Sequence, residues 1–246
     1  MEGSGAKSDL SLHPTEAHFS YLTFLMKGKS VVFLGATGAV GMEALKEVLS
    51  ISDLAKVTTF GRSKLKNISD SRVVQREVNI FDPSTYGNHI EGHEIAICTL
   101  GVGEATKVSK EDFIKIDKTA VVDFALKCKE QGVKHFELLA SVGINSKSRN
   151  YYLRTKGELV DELKRLDFDR LSIFMPSMII TPTNRYGLSQ AIFLKIWPIV
   201  SVLMIGSWKK YRGVNVEDLG AAMAHNISNE GRGFEALSWV DFEALK

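Results

Sequence analysis

The chain has 246 residues, 44% of them hydrophobic, 9% aromatic and 24% charged, and 31 basic against 29 acidic side chains leave a net charge of +2. These values belong to a folded globular chain and exclude whole-chain disorder, collagen-like repetition and a disulfide scaffold. So small a net charge gives no general attraction to nucleic acid. The two cysteines, Cys98 and Cys128, each stand in an apolar stretch and read as buried free thiols of a reducing compartment rather than as a bridge.

In chain order, Met1–Asp9 is polar with mixed charge, unlike the start of a signal peptide. Phe19–Met26 is apolar but short, with no small-residue cleavage site before Lys27 and Lys29, so residues 1–28 read as an extension carrying a short packed helix. Ser30–Gly35 is a continuous apolar run suited to a strand buried on both faces, followed by a helical stretch through Ser50. Further strands are predicted at Lys56–Phe60, Val73–Ile80, Glu94–Leu100, Lys134–Ser141 and Arg170–Phe174. Helices are predicted at Lys110–Gln131, stopped by Gly132, at Asn150–Leu166, and at Val214–Ile227 with Glu217 and Asp218 at its positive end. This alternation predicts an α/β fold, a doubly wound, mostly parallel sheet with helices on both faces.

Ala191–Ile205 is interrupted by Lys195 and Pro198 and falls short of the roughly 20 residues a membrane span requires. It reads as a buried or pocket-lining helix, with contact to a lipid surface as the minority alternative. A soluble, cytoplasmic protein is expected. Trp197, Met204 and Trp208 are core residues or the wall of an apolar substrate pocket. His89 and His93 bracket Gly92 without a third ligand, so no metal is expected, and Lys107, Lys110 and Lys115 read as a solvated face.

The most specific local feature is Gly35-Ala36-Thr37-Gly38-Ala39-Val40-Gly41, set between the first strand and the first helix. Gly35 suits a sharp turn with positive φ, Gly38 leaves the backbone open to a pyrophosphate, and Gly41 permits close helix–strand packing. The free amides and partial positive charge of the helix start then bind phosphate. At the end of the second strand stand Arg62, Ser63 and Lys64, with no acid until Asp70. A carboxylate there would favour a free ribose 2′-hydroxyl, whereas Arg62 can make a two-pronged pair with a 2′-phosphate, so NADP(H) is expected over NAD(H).

Ser141 closes the fifth strand, and Tyr152 and Lys156 follow four residues apart on one helix face. A free tyrosine titrates near pH 10, and a neighbouring ammonium lowers the cost of ionising it. Such a phenol can donate a proton to a carbonyl oxygen being reduced, while Ser141 hydrogen-bonds the same oxygen. Tyr151 has the wrong spacing and packs or shapes the pocket.

Gly35–Gly41, Arg62, Ser141 and Tyr152–Lys156 together resemble the short-chain dehydrogenase/reductase superfamily. Ser30–Ala36, Phe60-Gly61-Arg62, Lys134–Leu139 and Lys156-Gly157-Glu158 look closest to its atypical NADPH-binding branch, the Tat-interacting-protein-like oxidoreductases. The resemblance implies a Rossmann fold over residues 29–246, with a substrate-side region at about 178–246. It also implies NADP(H) along the carboxyl edge of the sheet, touched by Cys98, Thr99, Leu100 and Gly101, and Ser141, Tyr152 and Lys156 in the catalytic roles above. Asn79 and Ile80 are implied near the adenine, and Pro176, Ser177 and Met178 near the nicotinamide. The partner implied is a small-molecule carbonyl substrate, and homodimers or a protein partner fit the superfamily. Two departures stand out: Pro176-Ser177 replaces Pro-Gly, and Lys110–Val133 lacks the Asn of classical members, leaving Asp117 as the nearest polar residue. A carbonyl or enone reductase is the leading expectation; an NADPH-sensing interaction protein is the alternative.

Overall fold

The computed structural model describes residues 28–103, 105–182 and 204–246. The expectations for Phe19–Met26, Trp197 and most of Ala191–Ile205 lie outside these residues. Among them the chain begins with β1 (Lys29–Leu34), α1 (Ala39–Ser50), β2 (Leu54–Gly61), β3 (Val73–Glu77) and β4 (Ile95–Cys98). A long helix follows in two parts, α2 (Lys110–Ile114) and α3 (Ala120–Glu130), joined by a π-helical turn over Lys115–Thr119. Then come β5 (His135–Leu139), α4 (Tyr151–Arg165), β6 (Arg170–Phe174), β7 (Met178–Ile180), β8 (Gly213–Asn215), α5 (Val216–Asn226), β9 (Gly233–Leu237) and α6 (Trp239–Leu245).

Seven strands form one parallel sheet in the order β3-β2-β1-β4-β5-β6-β9, and β7 pairs with β8 in a second, two-stranded parallel sheet. The strand order reverses at β1, which sends the chain outward to β2 and β3 on one side and to β4 on the other. That reversal opens a crevice at the carboxyl edge between β1 and β4, where ligands of open α/β sheets bind. The central strands are apolar because helices cover both faces: Val31, Val32 and Phe33 of β1 are fully buried. Side chains of α1, α5 and α6 pack with Val31 and Phe33 on one face, and α3 and α4 pack with Val32 and Leu34 on the other.

Local chemistry sets the element ends. Gly132 has φ +83°, which stops the helix as its position predicted. Asn150 caps α4, its side-chain oxygen accepting from the amides of Tyr152 at 2.9 Å and Leu153 at 3.3 Å. Both thiols are free and buried, and burial pushes Cys98 up to about 12.

Three expectations are corrected. The third strand ends at Glu77 rather than Ile80, because β2 ends at Gly61, whose carbonyl takes the last ladder bond from the Val78 amide at 2.9 Å. The late helix begins at Val216 because Gly213–Asn215 are taken up by pairing with β7. Trp208 is 65% exposed and leans on Tyr211, so it is not a core residue.

Candidate nucleotide and active site

The loop after β1 is built by its glycines. Gly35 has φ +95°, and its carbonyl accepts from the Gly38 amide and the Thr99 hydroxyl, each at 3.0 Å. A Cβ on Gly41 would stand 2.3 Å from that same carbonyl, so the first turn of α1 can approach β1 only with glycine there. Gly38 is the N-cap residue of α1 and offers no side-chain cap, and the first turn carries no acid. The amides at this helix start are therefore open to an anion, with no carboxylate in the first turn to repel it.

A cavity of about 310 Å³ lies directly over this helix start. Gly38, Ala39, Val40 and Gly41 line one side, and Thr99, Leu100 and Gly101 continue the wall after β4. Tyr152, Lys156, Phe113 and Asp117 close the other side, with Leu139, Ala140, Ile179 and Thr181. The fold thus brings the two predicted halves, phosphate loop and Tyr/Lys pair, to one cavity. The Tyr152 ring lies 5.4 Å from that of Phe113, which also meets Tyr151 edge-on at 5.7 Å, so Tyr151 packs as its spacing suggested. Lys156 is buried, and its Nζ donates to Asp117 Oδ1 at 2.8 Å.

Other predicted residues stand around the cavity rather than in its wall. Ser141 follows β5 between two pinned amides, Ala140 to Phe174 O at 2.8 Å and Val142 to Pro176 O at 3.0 Å. Its hydroxyl points to the carbonyl of Val142 at 3.4 Å. Pro176 is buried, Ser177 is half-buried and Met178 opens β7. Gly35 and Ala36 form the turn beneath the wall, and Cys98 is fully buried in the sheet. Ile80 is likewise core, 7% exposed, while the Asn79 side chain accepts from the Phe81 amide at 3.1 Å and shapes the local turn.

Arg62, Ser63 and Lys64 are exposed at the end of β2. A small crevice beside them is lined by Thr37, Gly61, Ser63 and Arg76. Arg76 was not foreseen; it stands opposite Phe60 in the β2–β3 register, a relation that only strand pairing creates. Phe113, Val102, Ile179 and Thr181 were missed for the same reason, since each comes from a loop or element remote in sequence. A larger, shallower groove of about 720 Å³ lies at the opposite edge of the sheet, among Glu94, Lys134, Asp169 and Arg232. It touches neither the glycine loop nor Tyr152, so it is not the site of the chemistry.

Comparison with known proteins agrees with this geometry. Residues 35–190 match the family described as NAD(P)H-binding. The chain is 32% identical over 212 residues to the protein HTATIP2 of Rattus norvegicus, covering 85% of this chain and 86% of that one. It is 30% identical over 186 residues to the mitochondrial protein FMP52 of Candida albicans, covering 74% and 77%. Among solved structures it is similar to the enzyme WbmH of Bordetella bronchiseptica in complex with NAD+, with TM-score 0.63, 16% identity and 85% and 75% of the two chains covered. The oxidoreductase ylbE of Lactococcus lactis superposes with TM-score 0.60 at 14% identity, covering 88% and 96%. With the fold, the open helix start and the matched residues in agreement, the chain belongs to the NAD(P)H-binding family of oxidoreductase-like Rossmann proteins.

Proposed function

We propose that this protein is an NADP(H)-dependent reductase of a small carbonyl or enone compound, with Tyr152 as proton donor. The observation that supports it is the shared cavity, which sets Tyr152 and Lys156 across from the open N-terminus of α1. In this reading Gly38 to Gly41 hold the pyrophosphate, Arg62 and its neighbours hold the 2′-phosphate, and Thr99 to Gly101 border the remainder of the nucleotide. The dinucleotide, when bound, supplies the hydride. The chain supplies position and the proton. Tyr152 gives its phenolic proton to the carbonyl oxygen, and the Lys156 charge stabilises the negative charge left on the phenol. Phe113, Val102 and Ile179 exclude water and present an apolar wall to the substrate.

Tyr152→Phe removes one hydroxyl and keeps the ring against Phe113. Steady-state kinetics across a panel of small aldehydes, ketones and enones should show kcat reduced by about 100-fold or more. NADPH affinity by calorimetry should change by less than about twofold. Unchanged turnover in the variant would remove Tyr152 from the mechanism. A protein that binds NADPH but oxidises it with no carbonyl in the panel would be a cofactor sensor instead, a reading favoured by the Ser141 hydroxyl pointing to Val142 O. Among the described residues no helix is long and apolar enough to cross a membrane. We infer a cytoplasmic location; import of the tagged protein into mitochondria, the address in the FMP52 names, would overturn it.

A further inference from the structure

The residue that organises this cavity is one the Ser/Tyr/Lys pattern does not contain. Asp117 sits in the π-helical turn between α2 and α3, and its side chain is 3% exposed. Its two carboxylate oxygens are used by two different parts of the site. Oδ1 accepts from Lys156 Nζ at 2.8 Å, and Oδ2 accepts from the backbone amide of Val102 at 2.9 Å. Gly101 lies close enough that a Cβ there would stand 2.9 Å from Oδ1 and 3.8 Å from Lys156 Nζ. Phe113 and Asp117, four apart along the same helix, both face the cavity, one supporting the Tyr152 ring and the other Lys156.

We propose that Asp117 is a positioning residue that acts through Lys156, holding the ammonium in the cavity and locking it to the loop over Gly101–Gly103. A buried ammonium is stable only with a counter-charge and satisfied donors, and Asp117 supplies both to a side chain that is itself 6% exposed. One of the three ammonium hydrogens is directed to Asp117, and two remain for the phenol and for hydroxyls of a bound nucleotide. The link to the Val102 amide makes the position of Lys156 depend on the loop that borders the nucleotide. This inference rests on the reductase reading above and adds to it a residue through which cofactor and catalytic pair sense each other. The π-turn explains how a helix that otherwise lies on the sheet reaches in: one added residue in the turn re-aims the side chain.

The test is a double-mutant cycle on the full chain with Asp117→Asn, Lys156→Met and the double variant. In the apoprotein each single change leaves one buried charge without its partner and lowers the urea midpoint, whereas the double variant lowers it by less than the sum. With NADPH, calorimetry should show Asp117→Asn weakening affinity by about tenfold in the native background and by less than about twofold beside Lys156→Met. With an active carbonyl substrate, kcat should fall by roughly 10- to 100-fold in Asp117→Asn, with no further fall in the double variant relative to Lys156→Met. Additive effects in any of these cycles overturn the proposal, because Asp117 would then act on the loop alone. The outcome is separable from the reductase reading. Failure of the unmodified protein to bind NADPH sinks that reading and the positioning role with it, whereas binding with additive cycles sinks only the role of Asp117.

Discussion

Arg62 and Arg76 reach the end of β2 from different directions, one through the chain and one through the sheet. Arg62 is exposed where the strand ends, and Arg76 comes from β3 to a crevice it shares with Thr37, Gly61 and Ser63. The Arg76 guanidinium in a crevice that no acid lines, with Arg62 exposed at the strand end, favours a phosphate over a bare hydroxyl. Arg62→Ala should therefore weaken NADPH by roughly 10- to 100-fold, the value of one charge-assisted pair, while NADH changes by less than about threefold. Arg76→Ala should give a smaller loss of the same selectivity. Calorimetry with both dinucleotides checks this, and equal losses for the two would defeat the NADP(H) assignment.

The helix whose N-terminus lines the cavity is held in place by another helix rather than by the sheet alone. Gly220 of α5 touches the backbone of α1: a Cβ there would lie 2.7 Å from the Ala44 amide nitrogen and 2.8 Å from the Glu43 carbonyl carbon. Neither atom is the end of a flexible side chain, so Gly220→Ala must push α1 and α5 apart. Overpacking of this kind costs about 1–3 kcal/mol, which at this chain length lowers Tm by roughly 2–12 °C. Because α1 carries the open amides of Ala39 to Gly41, NADPH affinity should fall as well. A thermal melt and a calorimetric titration of the same variant measure both, and an unchanged Tm would show that the two helices have room to spare.

Across the whole molecule, a buried polar cluster lies away from the carboxyl edge, between β5, β6, β9 and the end of α5. Glu137 is fully buried, accepts from Asn226 Nδ2 at 2.8 Å and, among the described residues, leaves its second oxygen without a partner. Arg170 holds Glu235 and Asn226, and His135 meets Ser172 at 2.7 Å. Burial raises the Glu137 carboxyl well above its usual range and, with a smaller contribution from Arg170, lowers His135 to about 3. The signs follow from where the protons sit. Folded Glu137 keeps a proton that the unfolded chain releases above about pH 4.5, so its contribution to stability declines as pH rises from there. Folded His135 refuses a proton that the unfolded chain takes up below about pH 6.5, so stability is also lost on acidification from 6.5 down to about 3. Glu137→Gln keeps the contact to Asn226 and removes the ionisable group. Urea titrations should find it more stable than the native chain at pH 8, by a margin that grows at about 1.4 kcal/mol per pH unit above 4.5 until folded Glu137 ionises. An equal difference at pH 4.5 and pH 8 would mean that Glu137 is charged in the fold.

Periodic burial and local turn chemistry made the central strands, the glycine loop and the Tyr152/Lys156 spacing readable from the chain itself. β1, α1, α4 and β6 were recognisable because each carries its own signal: an apolar run, a glycine pattern, a cap or a helical face. β7, β8 and β9 carry none; Gly233–Leu237 is a half-exposed edge strand whose only reason to be extended is β6 beside it. The same holds at the site. Asp117 could be noted as the nearest polar residue on its helix, but its contact with Lys156 spans 39 positions, and Arg76 meets the β2 end only through strand register. Residue type and short-range spacing decide which groups a chain can offer. Which of them meet is decided when burial of both faces of the sheet fixes the order and register of its strands, and that is a property of the packed molecule.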